Sequence, residues 1–255
     1  EGARFAPDMM GSLAFVGGIP VETVLDTVGI DGARVGDELE RIGYSGSVPC
    51  PHIAPHAFVE LHIEQGPVLE QNGRTIGVVT GVQGISWQEV TVTGQSNHAG
   101  TTPMGLRHDP AFVAAEMTVF LRSLAARYGG NQVCTVGKVD LHPNLINVVP
   151  NNCVFTVDLR NTDEALLKQA EAKVADHIAE AARAERVTVE AKTLARFEPV
   201  IFDGALVGRV EHHAQALGLS TRRMPSGAGH DAQMMQRICP TAMIFVPSVA
   251  ASATM

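Results

Sequence analysis

A chain of 255 residues, 45% of them hydrophobic, can bury a sizeable core as one large domain or two smaller ones, and its 25 Gly and 14 Pro imply many turns. The formal charge of −8 argues against nucleic acid or an anionic membrane as a partner, and no apolar run approaches the roughly 20 residues that span a bilayer. The four cysteines, at positions 50, 134, 153 and 239, form no Cys-x-x-Cys pair, so free thiols in a reducing, cytoplasmic setting are expected rather than a disulfide framework.

In chain order, Val21, Val24, Leu25 and Val28 at helical spacing predict a short helix from Pro20 to Val28. A second runs from Asp37 to Ile42. Strands are expected at 57–63 and 75–80, and the run Ile76-Gly77-Val78-Val79-Thr80 is apolar enough to be buried. The first strand alternates Val59, Leu61 and Ile63 and stops at Gly66-Pro67, which cannot continue it. His62 and Glu64 therefore share the face opposite the apolar one. The residues leave two readings of His62 open: a metal ligand, or a hydrogen-bonded neighbour of the core.

Residues 85–197 have a different rhythm. A strand at 87–93 alternates Val90 and Val92 with Thr91 and Thr93. Asp109-Pro110 then opens a helix, with Asp as cap and Pro at the first helical position. Strands at 133–139 and 153–160 follow. Asn161-x-x-Glu164 reads as a capping box for a second helix, with Leu166, Ala170, Val174, Ile178 and Ala181 as its buried stripe. A last strand is expected at 187–193. The order βαββαβ is that of a ferredoxin-like sandwich. Residues 198–255 add helices near 204–217 and 231–238 and a buried strand at 241–246, with Asp231 as a candidate cap for the helix that starts at Ala232. The fold class is thus α/β, with residues 1–84 and 198–255 as one domain and 85–197 as an inserted second one. Neither a phosphate loop nor a Gly-x-Ser-x-Gly elbow occurs.

Four ordered blocks carry a resemblance. They are His62-Ile63-Glu64-Gln65-Gly66-Pro67-Val68-Leu69-Glu70; Gly94-Gln95-Ser96-Asn97-His98-Ala99-Gly100-Thr101-Thr102-Pro103-Met104; Asn147-Val148-Val149-Pro150 through Asp158-Leu159-Arg160-Asn161; and Ser226-Gly227-Ala228-Gly229-His230-Asp231-Ala232. The opening Glu1-Gly2-Ala3-Arg4-Phe5 is a fifth match. Together they resemble the amidohydrolase branch of the M20 metallopeptidases, which holds N-carbamoyl-L-amino acid hydrolases, β-ureidopropionases and allantoate amidohydrolases. The resemblance implies a zinc-peptidase-like catalytic domain interrupted by a lid and dimerisation domain. It also implies two divalent metal ions, Zn2+ first, with Mn2+, Co2+ or Ni2+ as alternatives.

By the same resemblance Glu1 and His62 are metal ligands, and His98 is the catalytic oxyanion donor, reaching the active site of a partner subunit. Asn147 and Arg160 take the substrate carboxylate, with Gln65 and His230 near the substrate. From the residues alone, Arg160 reads equally as the partner of Asp158. The implied substrate is a small ureido carboxylate, an N-carbamoyl-L-amino acid first and allantoate second, and the implied assembly is a homodimer. Other family elements have no counterpart here: the early His and bridging Asp ligands, the general-base Glu, and the last zinc His, near whose expected position Thr254 stands. The expectation is a partial chain of an active parent, inactive by itself; the competing reading is a non-catalytic relative kept for binding or dimerisation.

Overall fold

The computed structural model describes residues 4–51 and 53–248. Glu1 and Thr254, singled out above, lie outside them. The first stretch carries α1 (Met10–Phe15), α2 (Val21–Asp26), α3 (Val35–Arg41), β1 (Phe58–Ile63), α4 (Val68–Gln71) and β2 (Ile76–Val82). The middle carries β3 (Gly84–Thr93), β4 (Asn97–His98), α5 (Pro110–Tyr128), β5 (Val133–Thr135), β6 (Val139–His142), β7 (Val148–Val149), β8 (Asn152–Asn161), α6 (Glu164–Glu185) and β9 (Thr188–Phe197). The chain ends with β10 (Val200–Ile201), α7 (Gly204–Ala216), β11 (Thr221–Ser226), α8 (Asp231–Met235) and β12 (Thr241–Val246). These elements fall into two units, Glu1–Val82 with Val200–Met255, and Gln83–Pro199.

The first unit is built on a mixed sheet. Edge strand β1 runs parallel to β12, β12 antiparallel to β2, and β2 parallel to β11. Its core gathers Leu69, Val78, Val79, Val82, Val207, Ala242, Met243 and Phe245. The apolar run of β2 is buried on both faces, as its composition requires. Gly77 is needed there because a Cβ would come 2.8 Å from the Phe245 Cβ. In β1 the alternation is real, but the half-buried positions are Phe58, Glu60 and His62, and the exposed ones are Val59, Leu61 and Ile63. Val59 opens with Ile76, Leu206, Val210 and Ile244 onto an apolar groove of about 550 Å³. The polar face of β1 is the one that packs, because α8 lies over it.

In the second unit the antiparallel order is β5-β8-β3-β9, with β6 also paired to β8. Helices α5 and α6 supply Val113, Met117, Leu121, Leu167 and Val174 to one core with Val90 and Val92 of β3 and Phe155 and Leu159 of β8. Strict alternation along β8, half-buried then buried over its whole length, points every second residue at those helices. Asp109 caps α5 as expected, its Oδ1 accepting from the Ala111 and Phe112 amides at 2.9 and 3.4 Å.

Three local expectations need correction. The strand expected at 133–139 is two, β5 and β6. Between Thr135 and Val139 the edge chain uses one residue more than β8 does between Asp158 and Phe155, and Gly137 sits in that bulge. The cap of α6 is Asp163, which accepts from the Leu166 amide at 3.0 Å. Asn161 instead ends β8, its Oδ1 accepting from the Asp163 amide at 2.9 Å. The later start changes which residue opens the buried stripe: Leu167 is fully buried and Leu166 is 37% exposed, while Ala170, Val174, Ile178 and Ala181 are buried as expected.

All four cysteines are free; Cys50 is exposed, Cys153 and Cys239 are buried. Burial pushes the Cys153 thiol up to about 11, so almost no thiolate forms at neutral pH. Iodoacetamide at about pH 8 is expected to alkylate Cys50 first and to reach Cys153 only on unfolding. Peptide mass mapping reads this, and labelling of Cys153 at the Cys50 rate would contradict the packed β8 core. Among the described residues no helix is long and apolar enough to cross a membrane.

Candidate metal and substrate site

Period two along β1 puts Glu60 and His62 on the face that α8 covers. The parallel pairing of β1 with β12 sets His62 opposite Phe245. The loop between β11 and α8 brings His230 to the same place. The His62 and His230 rings meet edge to face, centroids 4.7 Å apart, and His230 lies 5.6 Å from the Phe245 ring. His230 is only 5% exposed. Its Nδ1 stands 3.5 Å from Glu60 Oε1, and one ligand atom each from Glu60, His62 and His230 can gather within 4.8 Å of one another.

The surrounding hydrogen bonds orient these groups. His62 Nδ1 lies 2.7 Å from the Ile63 carbonyl oxygen. A carbonyl only accepts, so in the neutral ring Nδ1 carries the proton and Nε2 keeps a lone pair. Glu60 Oε2 accepts from the Ala232 amide at 2.8 Å. That amide belongs to the first turn of α8, so Glu60 fills the role expected of Asp231, which makes no side-chain cap and is itself the first helical residue. Burial pushes the Glu60 carboxyl up, but the hydrogen bonds from His230 and Ala232 and the charge of both histidines outweigh it and hold it below the usual carboxylate range. Two imidazoles and a carboxylate, with the rings held by a backbone carbonyl and a serine, suit a borderline divalent cation such as zinc.

The other residues singled out by sequence fall as follows. Gln65 is exposed just past β1 with φ 54°, and its amide donates to Ser248 Oγ at 2.9 Å, tying the end of β1 to the segment after β12. Glu64 is occupied: its two carboxylate oxygens accept from the Val68 and Leu69 amides, both at 2.8 Å. His98, Asn147 and Arg160 belong to the second unit. His98 is exposed on β4, and its Nδ1 accepts from the Gly100 amide at 3.1 Å, which leaves Nε2–H of the neutral ring as an outward donor. Asn147 is next to it: its carbonyl accepts from the Ala99 amide at 2.9 Å. Arg107 braces this loop through the Ala99 and Thr102 carbonyls. Arg160 is engaged with Asp158, Nη2 to Oδ2 at 2.7 Å and Nε to both oxygens at 3.0 and 3.1 Å, and lies 5.8 Å from the Trp87 ring.

Sequence reasoning missed Glu60, Ser226 and Arg107. The signal for Glu60 was present, since counting two residues back from His62 along the same strand face reaches it.

A carboxylate and two imidazoles converging on a mixed α/β sheet form a donor set of the kind found in metal-dependent hydrolases. Comparison with known proteins agrees. The model of peptidase family M20/M25/M40 matches residues 1–254, and the chain belongs to that family. Within it the chain falls in the hydantoinase/carbamoylase branch. It is 39% identical to an N-carbamoyl-L-amino-acid amidohydrolase of Rhizobium meliloti over 249 residues, 98% of this chain and 60% of that protein. It is 37% identical to the allantoate amidohydrolase of Escherichia coli over 253 residues, 98% of this chain and 61% of that one. An amidase of the hydantoinase/carbamoylase family from Burkholderia multivorans superposes with a TM-score of 0.94 at 42% identity, covering 98% of this chain and 61% of its own. The chain thus spans about 60% of the length of these relatives.

Proposed function

We propose that this chain is part of a metal-dependent amidohydrolase that adds water across the ureido C–N bond of N-carbamoyl-L-amino acids, with allantoate as the second candidate substrate. The observation that carries the reading is the convergence of Glu60, His62 and His230 in a member of this branch. These three residues, with Glu1 by resemblance, would hold one or two divalent ions, zinc first. A metal there supplies a Lewis acid and a water that is nucleophilic at neutral pH.

The remaining roles rest on residues of the second unit and on Gln65. His98 offers its Nε2–H to the oxyanion that develops on the scissile carbonyl. Asn147 and Arg160 take the substrate carboxylate, Arg160 sharing its fork with Asp158 or exchanging it for the substrate. Gln65, at the turn beside the cluster, contacts the substrate. In this reading Gln83–Pro199 is a lid and dimerisation module and the first unit is the metal-binding domain. Both substrate classes present a ureido group and a carboxylate, which is why residue types do not separate them.

The test is an assay on the full-length parent loaded with zinc, following free amino acid released from an N-carbamoyl-L-amino acid, with allantoate in parallel. Turnover of the former is expected to exceed that of the latter. His98→Ala is expected to lower kcat by about 10²–10³ with little change in KM, because a donor aimed at developing charge acts mainly in the transition state. A zinc-loaded parent that turns over neither substrate would refute the activity. An unchanged kcat in His98→Ala would refute the donor role.

A further inference from the structure

The face of the second sheet that α5 and α6 do not cover carries a small pocket beside Arg160. Every second residue of β8 lies on that face, so Thr156, Asp158 and Arg160 are half-buried while Phe155, Val157 and Leu159 go into the core. Asp158 pairs with Trp87 of β3 on one side and with Thr135 of β5 on the other, and the three form a row across the sheet. Both flanks of this row are irregular. In β9, Ala195 stands opposite Trp87 and Thr193 opposite Gln88, so Leu194 is an extra residue of that strand, 48% exposed. On the other flank lies Gly137, where an added Cβ would meet nothing nearer than Thr156 Oγ1 at 3.8 Å. Between them is a cavity of about 220 Å³ lined by Trp87, Leu194, Thr135, Thr156, Asp158 and Gly137. That is below the roughly 300 Å³ at which pockets take whole ligands, and it suits one side chain of a ligand.

Arg160 connects this pocket to a substrate. Its Cζ lies 5.8 Å from the Trp87 ring centroid. In an α-amino acid derivative the carbon that bears the carboxylate also bears the side chain. A carboxylate held by Arg160 therefore starts the side chain within a few ångströms of the indole. Trp87 and Leu194 offer that side chain apolar surface, and the Asp158 oxygens are occupied by the guanidinium. The two candidate substrates differ at this substituent. In allantoate it is a second ureido group, which would lose hydration against an indole and a leucine. In an N-carbamoyl-L-amino acid it can be a hydrocarbon, whose burial there is favourable.

We propose that Trp87, together with Leu194, is a specificity-determining residue that receives the substrate's side chain, and that the substrates are N-carbamoyl-L-amino acids whose side chains are apolar and of about leucine size. The proposal rests on the amidohydrolase reading given above and on Arg160 as the carboxylate clamp.

The test measures kcat/KM of the zinc-loaded full-length parent on N-carbamoyl-L-leucine, N-carbamoylglycine and allantoate. The glycine derivative keeps the carboxylate and the ureido group and lacks only the side chain. Wild type is expected to favour the leucine derivative over each of the other two by at least about 10-fold. Trp87→Ala is expected to lower kcat/KM for the leucine derivative by at least about 10-fold and to leave the glycine derivative within about twofold. Trp87→Phe is expected to recover most of the loss, and Leu194→Ala, on the exposed bulge, to give a smaller loss of the same kind. Arg160→Lys is expected to impair both carbamoyl substrates alike, since both present the carboxylate. A wild type that uses the glycine derivative or allantoate as well as the leucine derivative overturns the proposal even if Trp87→Ala fails to fold. So does a folded Trp87→Ala that loses both carbamoyl substrates equally or neither. Both substrates unchanged in Arg160→Lys would remove the clamp, and the pocket assignment with it, while the amidohydrolase reading stands. A parent that hydrolyses none of the three overturns that reading and the proposal together.

Discussion

Phe155→Ala is expected to remove about 3–5 kcal/mol from the stability of the second unit, since truncating a buried Phe loses its transfer free energy and leaves a cavity that the surroundings fill only in part. Phe155 has no exposed surface. It pairs with Val90 of β3 on one side and Val139 of β6 on the other, and it points into the core roofed by α5 and α6. Both neighbouring strands are fixed by their own ladders, so the space cannot collapse without breaking backbone bonds. A loss of this size is a large part of the roughly 5–15 kcal/mol that holds a typical domain folded. The only tryptophan, Trp87, lies on β3 of this unit, so its fluorescence reports the transition. The urea midpoint is expected to fall steeply with the slope unchanged. Phe155→Leu, closer in volume, is expected to cost much less. Equal, small shifts for both substitutions would mean that Phe155 is not the centre of that core.

Elements whose ends are set by their own residues were legible in the sequence. Asp109-Pro110 starts α5 where the cap and the fixed φ of proline put it. The alternation in β3 and β8 survives because each has one covered face. Where two local signals compete, the sequence could not arbitrate. Asn161 and Asp163 both suit a cap, and the β8 pairing of Asn161 with Gly84 leaves the cap to Asp163, which makes Leu167 rather than Leu166 the buried one. The face of β1 failed for a different reason. Alternation says which residues lie together, not which side is covered, and covering depends on α8, far away in the chain. Glu60 and Ala232 meet across 172 positions. The two histidines could be picked out as motif residues, but their meeting depends on the parallel β1–β12 pairing and on the slip in β11. Neither has a local signature.

The second large effect is expected at Glu60, where one carboxylate does two jobs that substitution can separate. Oε2 satisfies the Ala232 amide at the start of α8, and Oε1 faces the His230 ring within the three-residue cluster. Glu60→Ala removes both. It leaves the buried Ala232 amide without its acceptor, a loss of about 1–3 kcal/mol, and takes one ligand of three from the candidate cation site. Glu60→Gln keeps an oxygen for the amide and nearly the same shape, but it loses the negative charge that a divalent ion needs. Loss of a partner one shell further out typically costs 10–100-fold in metal affinity, so loss of the ligand itself is expected to cost at least about 100-fold. The two variants should therefore part company: Glu60→Gln close to wild type in thermal melting and Glu60→Ala lower, with zinc binding lost in both. Isothermal titration with zinc, paired with a melt of the metal-free chain, reads the two effects separately. Full zinc affinity in Glu60→Gln would remove Glu60 from the ligand set and leave it as the capping residue of α8 alone.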